Sequence, residues 1–174
     1  LRTEYCHELA IRIVMNALVL TAARHELGLS LLYSHYSDHY VRIYVQIQRG
    51  KKHANNSINN LGYITHCFHC LHRSVVKDLR TLSTRCDFCH KDLAVSGPLW
   101  IGPLADTHFC QDMITTSSTV SSRERHRLST LLRRIQNETE FPPTYFVTDR
   151  ICQKIGVPSQ SKNEIIRRLI DQGY

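Results

Sequence analysis

Two Cys-x-x-Cys pairs, Cys67-Phe-His-Cys70 and Cys86-Asp-Phe-Cys89, are the residues of this chain whose type and spacing point most specifically to chemistry. Each pair puts two sulfurs on one tight turn. The fifteen residues between them let the second turn fold back on the first, so that four thiolates close a tetrahedron around one Zn²⁺. Four sulfur ligands leave no open position for a water, and such a metal holds structure instead of running a reaction. Two readings stay open beside it: the cysteines could form two disulfides, or merely lie near one another. His66, His69, His72 and His90 crowd the same turns, and any of them could replace a sulfur.

Other groups of reactive type lack partners. Cys6-His7-Glu8 invites a nucleophile, but adjacent residues on a helix point about 100° apart. Asp38-His39 falls at a turn, which favours local hydrogen bonding, and His108 and Cys110 have no third group to orient them. There is no Gly-rich turn opening a helix, no Gly-x-Ser-x-Gly elbow and no His-Glu-x-x-His. No catalytic or cofactor-binding residue is assigned. Cys6, Cys110 and Cys152 are isolated and read as small buried side chains.

Charge gives a second signal. Lys and Arg exceed Asp and Glu by seven over 174 residues. The excess is concentrated between Arg42 and Lys91, where Arg42, Arg49, Lys51, Lys52, Arg73, Lys77, Arg80, Arg85 and Lys91 face only Asp78 and Asp87. A zinc ion on four thiolates would lower that local charge to about +5. A patch of this kind suits a polyanion, usually nucleic acid; the plain alternative is a solvated basic face. The candidate RNA contacts are Arg42, Arg49, Lys51, Lys52, Arg73, Lys77 and Arg80, with Arg133 and Arg134 further along. A thiolate metal site implies a reducing compartment, and the cytoplasm is expected. No signal peptide or membrane-spanning run is apparent, and a monomer is expected. The chain begins without methionine on helix-like sequence and reads as a piece of a longer protein.

The elements that must position these residues can be read in outline. A helix capped by Thr3 should run to Gly28, with Leu9, Ile13, Ala17 and Leu20 at helical spacing and Glu8–Arg12 as an i,i+4 pair. Strands at Ser30–Tyr36 and His39–Arg49 should meet at a Ser37-Asp38 turn. The second strand alternates clearly: Val41, Ile43, Val45 and Ile47 face a core, while Tyr40, Arg42, Tyr44, Gln46 and Gln48 form an aromatic and polar face. That face could stack on bases or pack on another domain. A polar helix at Lys51–Asn60, a strand at Gly62–His66, the zinc insertion at 66–91 and an apolar strand at Pro98–Leu104 complete an α+β unit over 1–116. Its order resembles a ferredoxin-like fold lacking one strand. After a helix at Asp106–Thr116, Ser117–Ser122 reads as a linker. Helices at Arg123–Asn137, at Thr148–Ile155 and after the Ser161-Lys-Asn-Glu164 capping box make 123–174 a winged-helix-like tail. No internal repeat is visible.

Several segments, taken in order, resemble one family, the tRNA (guanine-26, N2)-dimethyltransferases, in an archaeal-like version. They are the run from Arg2 to Arg12 (Arg-Thr-Glu-Tyr-Cys-His-Glu-Leu-Ala-Ile-Arg), Ser34-His-Tyr-Ser-Asp-His-Tyr-Val-Arg42, Gly62-Tyr-Ile, the paired Cys-x-x-Cys turns, Gly97-Pro-Leu-Trp-Ile-Gly-Pro103 and Leu169-Ile-Asp-Gln-Gly-Tyr174. The resemblance implies the C-terminal, tRNA-holding part of such an enzyme. It implies a structural Zn²⁺ on Cys67, Cys70, Cys86 and Cys89, and tRNA as partner. S-adenosylmethionine would be bound by a separate N-terminal methyltransferase domain absent from this chain, on which the present unit would pack. The alternatives are a zinc-containing winged-helix DNA-binding protein, reading a major groove with Arg167 and Arg168 on the last helix, and a non-catalytic interaction scaffold.

Overall fold

The computed structural model describes residues 3–37, 39–117 and 121–173. Asp38 of the expected turn and 118–120 of the expected linker lie outside them. Helix α1 spans Cys6–Ala23 and is followed by strands β1 (Leu27–Ser37) and β2 (Tyr40–Arg49) and helix α2 (Lys51–Ile58). Strands β3 (Leu61–His66), β4 (Arg73–Val76) and β5 (Ala94–Trp100) then lead to helices α3 (Thr107–Thr116), α4 (Ser122–Glu138), α5 (Thr148–Ile155) and α6 (Lys162–Asp171).

α1 works along its length on two sheets. Leu9, with Tyr5 just ahead of the helix, packs on Ile64 of β3 and Leu99 of β5. One to three turns later, Met15 and Val19 pack on Leu29 and Leu31 of β1 and on Trp100. Between these two clusters sits Arg12, buried, with Nε donating to Glu8 Oε1 at 2.8 Å. Its Nη1 donates to the carbonyls of Trp100 and Gly102, each at 2.9 Å. The expected i,i+4 pair is therefore present and also ties α1 to the end of β5. Burial lowers the Arg12 pKa, and Glu8 works in the opposite direction. In length and mean hydropathy (18 residues, 1.4) α1 could cross a membrane, contrary to expectation. Its packing and its buried, hydrogen-bonded arginine make it a core helix.

Thr3 does not cap α1; the cap position is Tyr5, with no side-chain hydrogen bond, and the helix stops at Ala23. Gly28 is not a stop signal but part of β1. There the strand runs so close to α2 that a Cβ would lie 2.3 Å from the carbonyl carbon of His53. The Ser57 hydroxyl fills the same contact, accepting from Leu29 N at 2.8 Å and donating to Leu29 O at 2.9 Å. Along β2, Val41, Ile43 and Val45 are half-buried as the alternation requires, but Ile47 is exposed.

The strands do not form one ferredoxin-like sheet. β1 and β2 pair antiparallel with each other, and β3 is the centre of a separate antiparallel sheet in the order β4-β3-β5. Both edges of β3 are occupied, one by β4 of the cysteine-rich insertion, so no edge remains for β1 or β2. Across the 117–122 stretch the chain keeps one core. Leu132 of α4 is buried with Cys110 of α3, Ala105 and Tyr33 of β1, and Gln136 Nε2 donates to the Thr107 carbonyl at 2.9 Å. The expected tail helices form nearly where predicted, but no strand follows Trp100 among the described residues, so a wing is not seen there.

Candidate metal centre

The insertion is built from one turn used twice. In the first, Cys67 N donates to His72 O at 2.9 Å and Leu71 N to Cys67 O at 2.8 Å. In the second, Cys86 N donates to Lys91 O and His90 N to Cys86 O, both at 2.8 Å. The residue just after each second cysteine, Leu71 or His90, has positive φ, at 65° and 56°. Strand pairing follows each turn: His66 opposite Arg73, and Arg85 opposite Asp92. This is a structural repeat of eight positions, 66–73 and 85–92, that the sequence reading missed, because only the cysteines are shared between the two copies.

The two turns bring their sulfurs together. All four Sγ atoms lie within 4.8 Å of one another, with Cys67 and Cys89 at 3.4 Å and Cys70 and Cys86 at 3.5 Å. Thiolates about 2.3 Å from a tetrahedral zinc would be roughly 3.8 Å apart, so this cluster fits that ion. Cys67 and Cys86 are fully buried (0% and 1% exposed), which removes them from exchange with solvent thiols. The seven cysteines are free, so the disulfide reading does not describe this chain. The convergent set consists of the four cysteines without a histidine. His66 turns its Nδ1 to the Tyr5 hydroxyl at 2.6 Å, and His72 packs on Phe88.

Without metal the four thiols share their protons unequally. Burial would raise Cys67, but hydrogen bonds from the Cys70 backbone, the Cys89 thiol and the His69 backbone bring it down to about 7. Burial and the neighbouring sulfurs push Cys70 up to about 12. A cation entering the site must therefore displace protons, and affinity rises with pH.

The cations fall into two groups. Arg73 was expected on the RNA face and is instead internal, its side chain 4% exposed. It pairs with Glu4, donates to the Tyr145 carbonyl, and lies 4.5 Å above the Tyr5 ring and 4.2 Å above the Phe146 ring. The physical reason is that β4 places it at the junction of the insertion, the start of the chain and the tail. The other eight basic residues from Arg42 to Lys91 are all exposed. Lys51 pairs with Glu26 at 3.4 Å, Arg80 is held by Asp78, and the Arg42 guanidinium lies 5.0 Å over the Tyr40 ring. Tyr40 and Tyr44 are exposed, as are Arg133 and Arg134 on α4. Arg167 and Arg168, on which a DNA-reading helix would depend, both pair with Glu164.

With this geometry in place, the comparisons with known proteins agree. A family model described as N2,N2-dimethylguanosine tRNA methyltransferase matches residues 1–174. A tRNA (guanine(26)-N(2))-dimethyltransferase of Methanothermobacter thermautotrophicus is 33% identical over 100% of this chain and 46% of its own length. A tRNA (guanine(26)-N(2)/guanine(27)-N(2))-dimethyltransferase of Aquifex aeolicus is 28% identical over 92% of this chain and 41% of its own. The solved structure of Trm1 from Pyrococcus horikoshii with S-adenosyl-L-methionine superposes with a TM-score of 0.80 at 28% identity, over 99% of this chain and 44% of that one. The chain thus spans somewhat under half the length of these relatives. The expected placement in the C-terminal part, with the S-adenosylmethionine site in a domain ahead of Leu1, is not borne out by these matches.

Proposed function

This chain belongs to the N2,N2-dimethylguanosine tRNA methyltransferase family, and we propose that it serves such an enzyme by holding tRNA on a zinc-stapled basic face. The observation that carries this reading is the division of the cations. Eight of the nine between Arg42 and Lys91 point to solvent, and the ninth is spent on internal structure. Exposed cations beside exposed tyrosines suit a phosphate backbone with unstacked bases, and each phosphate contact releases condensed counterion. The Tyr40–Arg42–Tyr44 face of β2 and Lys51, Lys52 at the start of α2 are the proposed contacts, with Lys77 and Arg80 on the insertion and Arg133, Arg134 on α4. In this reading the tetrathiolate ion is zinc and only shapes the insertion, in the cytoplasm. No residue is assigned to methyl transfer or to S-adenosylmethionine: both sheets are antiparallel, whereas nucleotide-type cofactors are usually cradled at the ends of parallel strands.

The test is tRNA binding by fluorescence anisotropy at two salt concentrations. Replacing Lys51 and Lys52 with alanine should weaken binding and flatten the salt slope by roughly one or two units. The Lys51–Glu26 pair is exposed on both sides and offers little competition. Wild-type affinity and slope in both this variant and Arg133→Ala/Arg134→Ala would overturn the reading.

A further inference from the structure

A cavity of about 490 Å³ lies where the first cysteine turn meets α5, next to the metal cluster but using none of its sulfurs. Its size falls in the range of small-ligand clefts, about 300–1,000 Å³. Its deep end holds two unsatisfied groups. His66 is 2% exposed, and its Nε2 is buried without a hydrogen-bond partner; the Thr3 hydroxyl is likewise buried and unpartnered. Native proteins rarely leave such atoms unpaired, since each costs on the order of 1–3 kcal/mol. Nδ1 is shared with the Tyr5 hydroxyl at 2.6 Å, and in either tautomer Nε2 points at nothing within the chain.

One wall is aromatic. Phe68 stacks on the His66 ring at 4.3 Å with an interplanar angle of 21°, yet remains 49% exposed, so an open ring face continues the stack. The rim is cationic: Arg150 and Lys154 stand on α5, and Lys154 Nζ reaches the Phe68 carbonyl at 3.4 Å. The acid beside the cavity, Glu4, is committed to Arg73.

We propose that this cavity receives one unpaired nucleotide of an RNA. Its base stacks on the open face of Phe68, third in a stack that begins with the His66 ring. Its phosphate lies between Arg150 and Lys154. A stacking platform with cations one nucleotide-length away is how single-stranded RNA is usually held, and a folded tRNA offers unpaired nucleotides in its loops. The inference rests on the tRNA-holding reading for the source of the nucleotide, but not for its chemistry.

Two measurements separate the two claims. Adenosine 5′-monophosphate, titrated at millimolar concentration into the zinc-loaded chain, should shift the His66 imidazole resonances, and should fail to do so in Phe68→Ala. Phe68→Ala and Arg150→Ala/Lys154→Ala should each weaken tRNA binding about 5- to 100-fold, the range of one stacked base, and Phe68→Trp should restore it. Zinc content measured on each variant guards against a lost fold. If tRNA binding is unchanged in all variants and the His66 resonances do not respond to nucleotide, the cavity is not a nucleotide site, whatever Lys51 and Lys52 do. If wild type ignores tRNA while the His66 resonances still respond, the nucleotide site stands and the tRNA-holding reading fails. If neither response is seen, both fall.

Discussion

Arg73 shows how far one side chain's role can differ from its charge. Removing it would leave the half-buried Glu4 unpaired and would open the contact with Tyr145 and Phe146, so Arg73→Ala should destabilise the fold by about 2 kcal/mol. Lys52→Ala, on the exposed face, should stay within about 0.5 kcal/mol; urea midpoints for the pair of variants check both. Glu4 adds a pH signature. Burial works against its charge, but a backbone hydrogen bond and the Arg73 guanidinium outweigh burial and hold its pKa below the usual 4.5. Because the folded value is the lower one, the stabilisation is complete above the unfolded pKa and is lost as pH falls through the folded one. The stability gap between wild type and Glu4→Gln should therefore be constant near neutral pH and close as pH drops below 4.5. A gap that instead widens on acidification would mean that Glu4 is not held charged by Arg73. Nothing local marks Arg73: it lies among exposed arginines in sequence, and its partners are 69 and 72 residues away.

At the scale of elements, β1 approaches α2 closely at Gly28. Gly28→Ala places a methyl group against the His53 backbone, which cannot rotate away as a side chain could. Overpacking of this kind costs typically 1–3 kcal/mol, and the upper end is expected here because strand and helix must separate; the thermal midpoint should fall by several degrees or more. The cysteine turns make the second prediction at this scale. Elemental analysis should find one zinc per chain, and chelation should raise hydrogen exchange over 66–92 and in α5 more than in the middle of α1. Uniform loss of protection would show that the insertion carries the whole fold. What could be read in the sequence at this scale was whatever is encoded within a few residues. The Ser161–Glu164 box does cap α6, Ser161 accepting from Glu164 N at 3.2 Å, and Gly156 does end α5 in the left-handed region. The β2 alternation as far as Val45 and the convergence of the four cysteines were visible for the same reason. The division into two sheets was not, because it depends on which edge of β3 the four residues of β4 reach, and Arg73-Ser-Val-Val76 carries no pattern that names its partner. The turn repeat was hidden too, since it lies in backbone hydrogen bonds and two positive φ values that need neither glycine nor a shared side chain.

For the whole molecule, two core clusters follow one another along α1 and a third joins β1 to α3 and α4, so residues on either side of 117–122 share a core. α1 also leaves Ile13, Val14 and Leu18 exposed on its other side. The fold thus presents a basic and aromatic side, from β2 and the start of α2, that is built from exposed side chains with few internal duties. A prediction belongs to this level. Calorimetry with S-adenosylmethionine should show no micromolar binding to the zinc-loaded chain, since no cofactor-binding residue is assigned among those described. Micromolar binding would place a cofactor cradle among these residues and require a different account of the antiparallel sheets.

The Arg73 junction also sets an order in time. A ribosome delivers Glu4 long before Arg73, and both tetrathiolate turns are complete by Cys89, while Tyr145 emerges 72 residues after its guanidinium partner. At about 5–20 residues per second that is a wait of roughly 4–14 s. During it, a metal can reach the four cysteines, and the Arg73–Glu4 pair can close, on a chain whose last two helices are not yet made. The His66–Phe68 stack meanwhile has no α5 beside it. The four-cysteine cluster is thus complete well before the α5 wall that turns its neighbouring surface into a cavity.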